Sequence, residues 1–220
     1  MSLSQRQAFN TIKSAYAKVG RKPVTTASTL RLIQPIVANK TTYTFPILEG
    51  DVATNYTEQI LLNRADAFTA IAVGVFIGSI DNTGANDSSF TYQLFSYQSE
   101  ALTSAGITNA NALFYHSNLD IAVNNVQYLQ NLDTFRCANA PIIQTGNLLA
   151  AGGDTTGANS INGNMYGFTS ITPSLQFSGT AKIDISLQLP TALALTAGRT
   201  PTIQLIFRGF LSLGASNLNK

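Results

Sequence analysis

Charge is what this sequence has least of. Only 11% of its 220 residues are Asp, Glu, Lys or Arg, less than half the usual share of a soluble domain. Asn, Thr, Ser, Gln and Ala stand in their place. So little charge is ill suited to keeping copies of a protein apart. It suits a surface largely covered by copies of itself, as in shells, fibres and other repeating assemblies. A neutral, Thr-rich secreted β domain has a similar composition. Cysteine is nearly missing, and Cys137 alone excludes an internal disulfide framework. No stretch reaches transmembrane length without polar residues. The opening MSLSQRQAFNTIKSAYAKVG lacks the apolar segment and small-residue cleavage pattern of a secretory signal. Synthesis and folding in a cytoplasm are therefore expected, and the triplets at Asn39, Asn55 and Asn86 are not expected to carry glycans.

The same scarcity thins out the chemistry. There is one histidine, His116, and its nearness in sequence to Ser117 and Asp120 is not evidence of a triad, which is assembled in space. Cys137 follows Arg136, a neighbour able to lower a thiol pKa, but a lone cysteine in a β domain is most often buried and inert. One His and one Cys would leave carboxylates as most ligands of any zinc site. The eleven acidic residues are scattered singly, so no paired-carboxylate site stands out. The loop from Asp81 to Asp87 lacks the spacing and bidentate Glu of a calcium loop, and no Gly-Lys-Ser/Thr phosphate loop exists. Tryptophan is absent, which speaks against sugar stacking, although eight tyrosines keep it open. No enzyme activity, cofactor, metal or small-molecule substrate is expected.

What charge there is lies unevenly. Arg6, Lys13, Lys18, Arg21, Lys22, Arg31 and Lys40 precede the first acidic residue, Glu49, for a net +7, and the remaining six basic and eleven acidic residues give −5. A basic arm is joined to a mildly acidic body. Within the arm, Phe9, Ile12, Tyr16 and Val19 fall at helical spacing, which predicts an amphipathic helix from Ser4 to Val19. Gly20 and Pro23 end it. A helix this short is marginal alone. It either packs on its own domain or reaches a neighbouring subunit, nucleic acid or a membrane surface through Arg6, Lys13, Lys18, Arg21 and Lys22. The chain accordingly divides into a basic helix or arm over 1–23 and a body over 24–220.

The body is organised around Phe68 to Ile80, FTAIAVGVFIGSI, the longest apolar run. Both of its strand faces are apolar, so both must be covered, as in a central strand between layers. A buried helix is the alternative, but the β-branched content and two glycines favour a strand. Val24 to Ala38 reads as an edge strand with Pro35 near its end. Tyr43, Phe45 and Ile47 alternate with threonines. Glu58 to Leu62 is a short strand candidate, Phe90 to Tyr97 alternates, and Ser99 to Asn111 suggests a loop with a helical turn. Asn124-Asn125 joins LDIAV to VQYL as a hairpin. Leu175 to Phe177 is a short strand. Thr180 to Leu189 and Thr202 to Leu213 alternate clearly. The polar loops Asp81 to Ser89 and Gly146 to Gly167 are long enough to be functional or interfacial. Eight to ten irregularly spaced strands with little helix predict an all-β fold, a jelly-roll β-sandwich preceded by a short N-terminal amphipathic helix or arm.

The basic arm, TTYTFPI, the block EQILLNRADAFTAIAVGVFIGSI, the hairpin LDIAVNNVQYLQNL and the closing TIQLIFRGFLSL together resemble the jelly-roll structural proteins of tailless bacteriophages, including capsid proteins of small icosahedral, membrane-containing phages. The resemblance is one of style over most of residues 24 to 213. It implies self-assembly into a homo-oligomeric capsomer beside other virion proteins, with the arm facing the genome or an internal membrane. Capsid proteins of this kind often carry two jelly rolls, and single or double is left open. A receptor- or carbohydrate-binding sandwich, with its site on one of the two long loops, is the other expectation.

Overall fold

Val, Ile and Phe on both faces of Ala67–Ser79 make it a strand that only a fully enclosed sheet can accommodate, and that is where it lies. The computed structural model describes residues 3–18, 23–52, 56, 58–79, 94–98, 102–103, 107–138, 167–195 and 201–216. Among them are α1 (Leu3–Lys18), β1 (Thr25–Pro35), β2 (Thr42–Thr44), β3 (Ala67–Ser79), β4 (Leu94–Phe95), α2 (Asn111–His116), β5 (Asn118–Val123) and β6 (Val126–Asp133). They continue with a 3-10 turn (Thr134–Cys137), β7 (Phe168–Ser178), β8 (Ile183–Gln188) and β9 (Pro201–Ser212). Every strand pairing is antiparallel.

The pairings nest. β1 pairs with β9, β2 with β8, β3 with β7, and β5 with β6. This is one long antiparallel hairpin, first strand with last and inward to the β5–β6 turn. Rolling it up adds β9 to β3 and β8 to β5. Two sheets result, β1-β9-β3-β7 and β2-β8-β5-β6, with the two-residue β4 added beside the far end of β3. That is the strand order of a jelly roll, and the described strands make one such roll.

The core lies between the sheets. Leu30 and Leu32 of β1, Phe68, Val73, Val75 and Ile77 of β3, and Ile203, Leu205 and Phe207 of β9 meet Tyr43, Phe45, Leu119, Ile121, Ile185 and Leu187 from the second sheet. The turn at the centre of the roll is Asn124-Asn125, with φ of 51° and 63°. Paired asparagines tolerate the left-handed values that match the twist of the flanking strands.

The outer face of the first sheet is covered at one end by α1. Ile12 and Tyr16 are buried with Ala67, Phe210 and Ala215, and Phe9 and Ile71 pack at the margin. The Phe9 and Phe210 rings stand 5.6 Å apart. Further along the same face the Phe76 and Phe168 rings meet at a tilt, 5.3 Å apart, and Ile33 and Ile206 are buried. The second sheet instead turns Thr42, Thr44, Asp184 and Gln188 to solvent. This difference explains why β3 and β9 are apolar on both faces while β8 alternates.

Three sequence expectations are corrected. Glu58 to Leu62 forms isolated bridges at Ile60 and Leu62 rather than a strand. Leu175 to Phe177 is the end of an eleven-residue strand, β7, in which the register advances from Ser170 to Leu175 while β3 advances only from Ala72 to Ala70. The excursion around Pro173 hid the strand, because proline cannot donate to a ladder. Asn111, read as the end of a loop, opens α2. Phe90 to Gln93, the polar loop Asp81 to Ser89 and all of the loop Gly146 to Gly167 but its last residue lie outside the described residues, as does Ile142 to Gln144, whose sequence suggests a further short strand.

The α1 contact contains one costly feature. The Tyr16 hydroxyl is buried and finds no hydrogen-bond partner among the described residues. Removing such a group recovers roughly 1 kcal/mol, which corresponds to a rise of about 2–4 °C in Tm at this chain length. Tyr16→Phe is therefore expected to raise the thermal midpoint, as read by differential scanning calorimetry.

Candidate functional site

A sandwich has four outer strand edges, and each exposes unpaired backbone groups unless something blocks it. Three are blocked here. At β1, Arg31 exchanges both backbone hydrogen bonds with Ile60, at 2.9 and 3.0 Å, and the strand ends at Pro35. β2 is three residues long and is followed two residues later by Pro46. β7 is broken by its excursion through Pro173.

The fourth edge, β6, runs for eight residues, VQYLQNLD. It contains no proline and no charge before Asp133, and no described residue pairs with its outer side. Two extra residues on β6 relative to β5 interrupt its ladder, between Leu132 and Leu129 and between Leu129 and Gln127. Such bulges increase twist. Asn131, at φ 51°, sits in the first of them, and its N–H donates to Asp120 Oδ1 at 2.7 Å. On the core side Leu129 and Leu132 pack partly against the hydrophobic interior. Val126 and Tyr128 stand 55% and 57% exposed.

The surface continues past the strand. Asp133 accepts the Phe135 N–H at 2.9 Å, capping the 3-10 turn. Thr134 is buried beneath it. Its Oγ1 lies 2.6 Å from the Leu113 carbonyl and accepts the Ser117 N–H at 3.2 Å. Ser117 Oγ donates to the Ala112 carbonyl at 2.8 Å. These bonds tie α2 to the 3-10 turn, so that Phe135 projects outward, 60% exposed, against the Tyr115 ring at 5.9 Å. Sequence inspection found the hairpin but not this surface. The available signal was a hairpin strand carrying tyrosine and amides in place of lysine.

The basic residues expected to act as an arm are only partly brought together. α1 lies on its own body, and Arg6 and Lys13 are exposed on it. Seven residues apart, they share one flank, about 10 Å along the axis. Lys18 ends the helix. Arg21 and Lys22 lie outside the described residues. No helix among the described residues is long and apolar enough to cross a membrane. An open groove of about 540 Å³ lies where Pro46 turns the chain away from β8, lined by Phe45, Ile47, Lys182, Ile183 and Asp184 among others. Its charges are paired, Lys182 with Asp184 at 3.1 Å and Asp51 with Arg64 at 2.8 Å.

His116 is exposed in the last turn of α2. Cys137 is 1% exposed, and its Sγ lies 3.6 Å from the Val73 carbonyl, to which it donates. Burial pushes this thiol from 9.0 up to about 11. As expected of a lone cysteine in a β domain, the sulfur is inside, while the neighbouring Arg136 side chain points to solvent. Among the described residues no three His, Cys, Asp or Glu side chains converge to hold a metal ion.

The raised thiol pKa makes stability pH-dependent. The native state keeps its proton to higher pH than the unfolded chain. The contribution is therefore fully present below pH 9 and is lost as pH rises to about 11. It amounts to at most about 3 kcal/mol. Tyr43, whose pKa burial also raises, acts in the same sense. Urea titrations between pH 8 and 11 should show stability falling across this window, and falling less steeply in Cys137→Ala.

The fold and this surface define an all-β jelly-roll sandwich with, among the described residues, one open edge that is uncharged until its last residue. No family model matches the chain, and neither a curated protein nor a solved structure matches it.

Proposed function

We propose that this protein is a virion structural protein that self-assembles into a shell, a capsid subunit. The observation that carries the reading is the contrast among the sheet edges: three are obstructed, and β6 is long, free of proline and uncharged until its last residue. A soluble protein that works alone protects its edges with lysine, proline or cover. An edge left neutral, with Val126, Tyr128 and Phe135 exposed beside it, is suited to burial by another chain. The jelly roll serves both capsid proteins and lectins, and the charge content of 11% favours a surface covered by its own kind.

In this reading the subunit forms homo-oligomeric capsomers, meets other virion proteins and resides in the virion after synthesis in the host cytoplasm. Arg6 and Lys13, with Lys18, Arg21 and Lys22, face the genome or an internal membrane. The test is the mass of the purified protein by light scattering after gel filtration, at low and moderate salt. A trimer, pentamer or larger species is expected, with specific interfaces above ~1,000 Å². A monomer at both salts, at high concentration, would overturn the proposal. Attention would then pass to a receptor- or carbohydrate-binding sandwich working through its loops.

A further inference from the structure

Resting on the shell-forming reading, we infer that β6 is a homotypic contact between capsomers: two copies of this chain from adjacent capsomers meet β6 to β6 about a two-fold axis. The two rolled sheets β2-β8-β5-β6 then face each other edge to edge.

The occupant follows from chemistry. A two-fold axis sets each residue near the axis against its own kind or its near neighbours. A charge there meets a like charge, which is destabilising. An amide meets an amide, which both donates and accepts. Around Leu129 the strand carries Gln127, Gln130 and Asn131, with no Lys, Arg or Glu. The nearby charges lie off the middle of the strand: Asp120 on β5 accepts from Asn131 N–H, Asp133 at the end of β6 accepts from Phe135 N–H, and Arg136 stands exposed beyond it. Along the middle of β6 a partner selected by charge has little to read, whereas a second copy of the same neutral stretch is complementary to it.

The apolar surface points the same way. Of the eight large hydrophobic residues that stand exposed among the described residues, Val126, Tyr128 and Phe135 belong to β6 and the turn that follows it. They extend from one end of the strand to the other, so antiparallel juxtaposition of two copies covers both sets at once. The two bulges on β6 limit any backbone ladder to short stretches. The contact is therefore made largely by side chains, with Tyr128 and the amides nearest the axis.

The test uses the full chain and two substitutions at exposed positions. Gln130→Cys is oxidised with copper phenanthroline in the assembled protein, with Gln188→Cys on the outer face of β8 as the control. Cys137, being buried, does not compete. A disulfide-linked dimer from Gln130→Cys and none from the control is the expected result. Tyr128→Lys puts two like charges near the axis and is expected to weaken association at least about tenfold, with the fold of the subunit kept, as read by far-ultraviolet circular dichroism, because the side chain is exposed in the single chain. If the natural protein assembles while Gln130→Cys gives no dimer and Tyr128→Lys assembles normally, the β6 contact is wrong and the shell reading stands. If the natural protein is monomeric, both fall.

Discussion

Gly209→Ala should leave little or no soluble, folded protein. Gly209 lies in β9 opposite Ala70 of β3, where β3 carries an extra residue between Ala70 and Ala72. The bulge swings the Thr69 peptide across the position that a side chain at 209 would occupy. A methyl group there would overlap the Thr69 carbonyl oxygen, lie 2.8 Å from its carbon and 3.1 Å from Ala70 Cα. All three obstacles are backbone, so no rotamer change relieves them. Either β3 and β9 separate at the centre of their sheet or the bulge is lost. Losing the bulge would move the remainder of β3 to the opposite face, because side chains alternate with period two. Overpacking of side chains alone costs roughly 1–3 kcal/mol. A backbone clash in a central pairing belongs to the larger class, on the order of 4–5 kcal/mol. Whole domains are stable by only ~5–15 kcal/mol. The check is the soluble fraction on expression and, for whatever is recovered, the urea midpoint. A Gly209→Ala protein as stable as the natural chain would show that β3 and β9 are not joined through this bulge.

Phe207→Ala should cost about 3–5 kcal/mol, the range for a buried aromatic truncated to alanine. Phe207 is 0% exposed and lies between Leu30 of β1 and Val73 of β3 in the register of the first sheet. Its ring meets Phe177 of β7 edge to face, with centroids 5.4 Å apart and planes at 80°. The side chain thus joins strands from four places in the chain, and the surroundings are held by strand pairing on both sides. They cannot collapse freely into the space left behind, so the cavity term adds to the lost transfer energy. Equilibrium urea unfolding followed by far-ultraviolet circular dichroism measures the loss. A change below about 1 kcal/mol would place Phe207 outside the core. If the chain assembles as proposed, both variants are also expected to fail to form oligomers, in contrast to Tyr128→Lys, which is expected to fold and to associate more weakly.

Several elements were legible because the cause of each is local. The two-sided apolar pattern of Phe68 to Ile80 required a covered strand, and β3 is covered by the core on one face and in part by α1 on the other. Asn124-Asn125 required a tight turn, and both residues have positive φ. The alternation of Ile183, Ile185 and Leu187 required one buried face and one wet face. Phe9, Ile12 and Tyr16 required a helix with one apolar stripe. Others were not legible. β7 contains Pro173, which argues against a strand until β3 is seen to pair on both sides of the interruption. α2 has no side-chain cap at its N-terminus, and its end is held by Thr134 of the following 3-10 turn together with its own C-terminal Ser117.

By itself the sequence determined the class of fold, the presence and extent of the strongest strands, the turn at the centre of the roll and the poverty of charge. These depend on patterns of period two, on turn chemistry and on composition, all of which act over a few residues or over the chain as a whole. Only the tertiary structure decided that α1 lies on its own body, that the strands nest as a single rolled hairpin, and that β6 is the edge left open. Strands 5 and 6 look alike in sequence, each a run of apolar and amide residues beside one turn. Their fates differ because β8, some sixty residues away, pairs with β5 and leaves β6 without a neighbour among the described residues, and nothing within a single strand encodes which of its two edges will be filled.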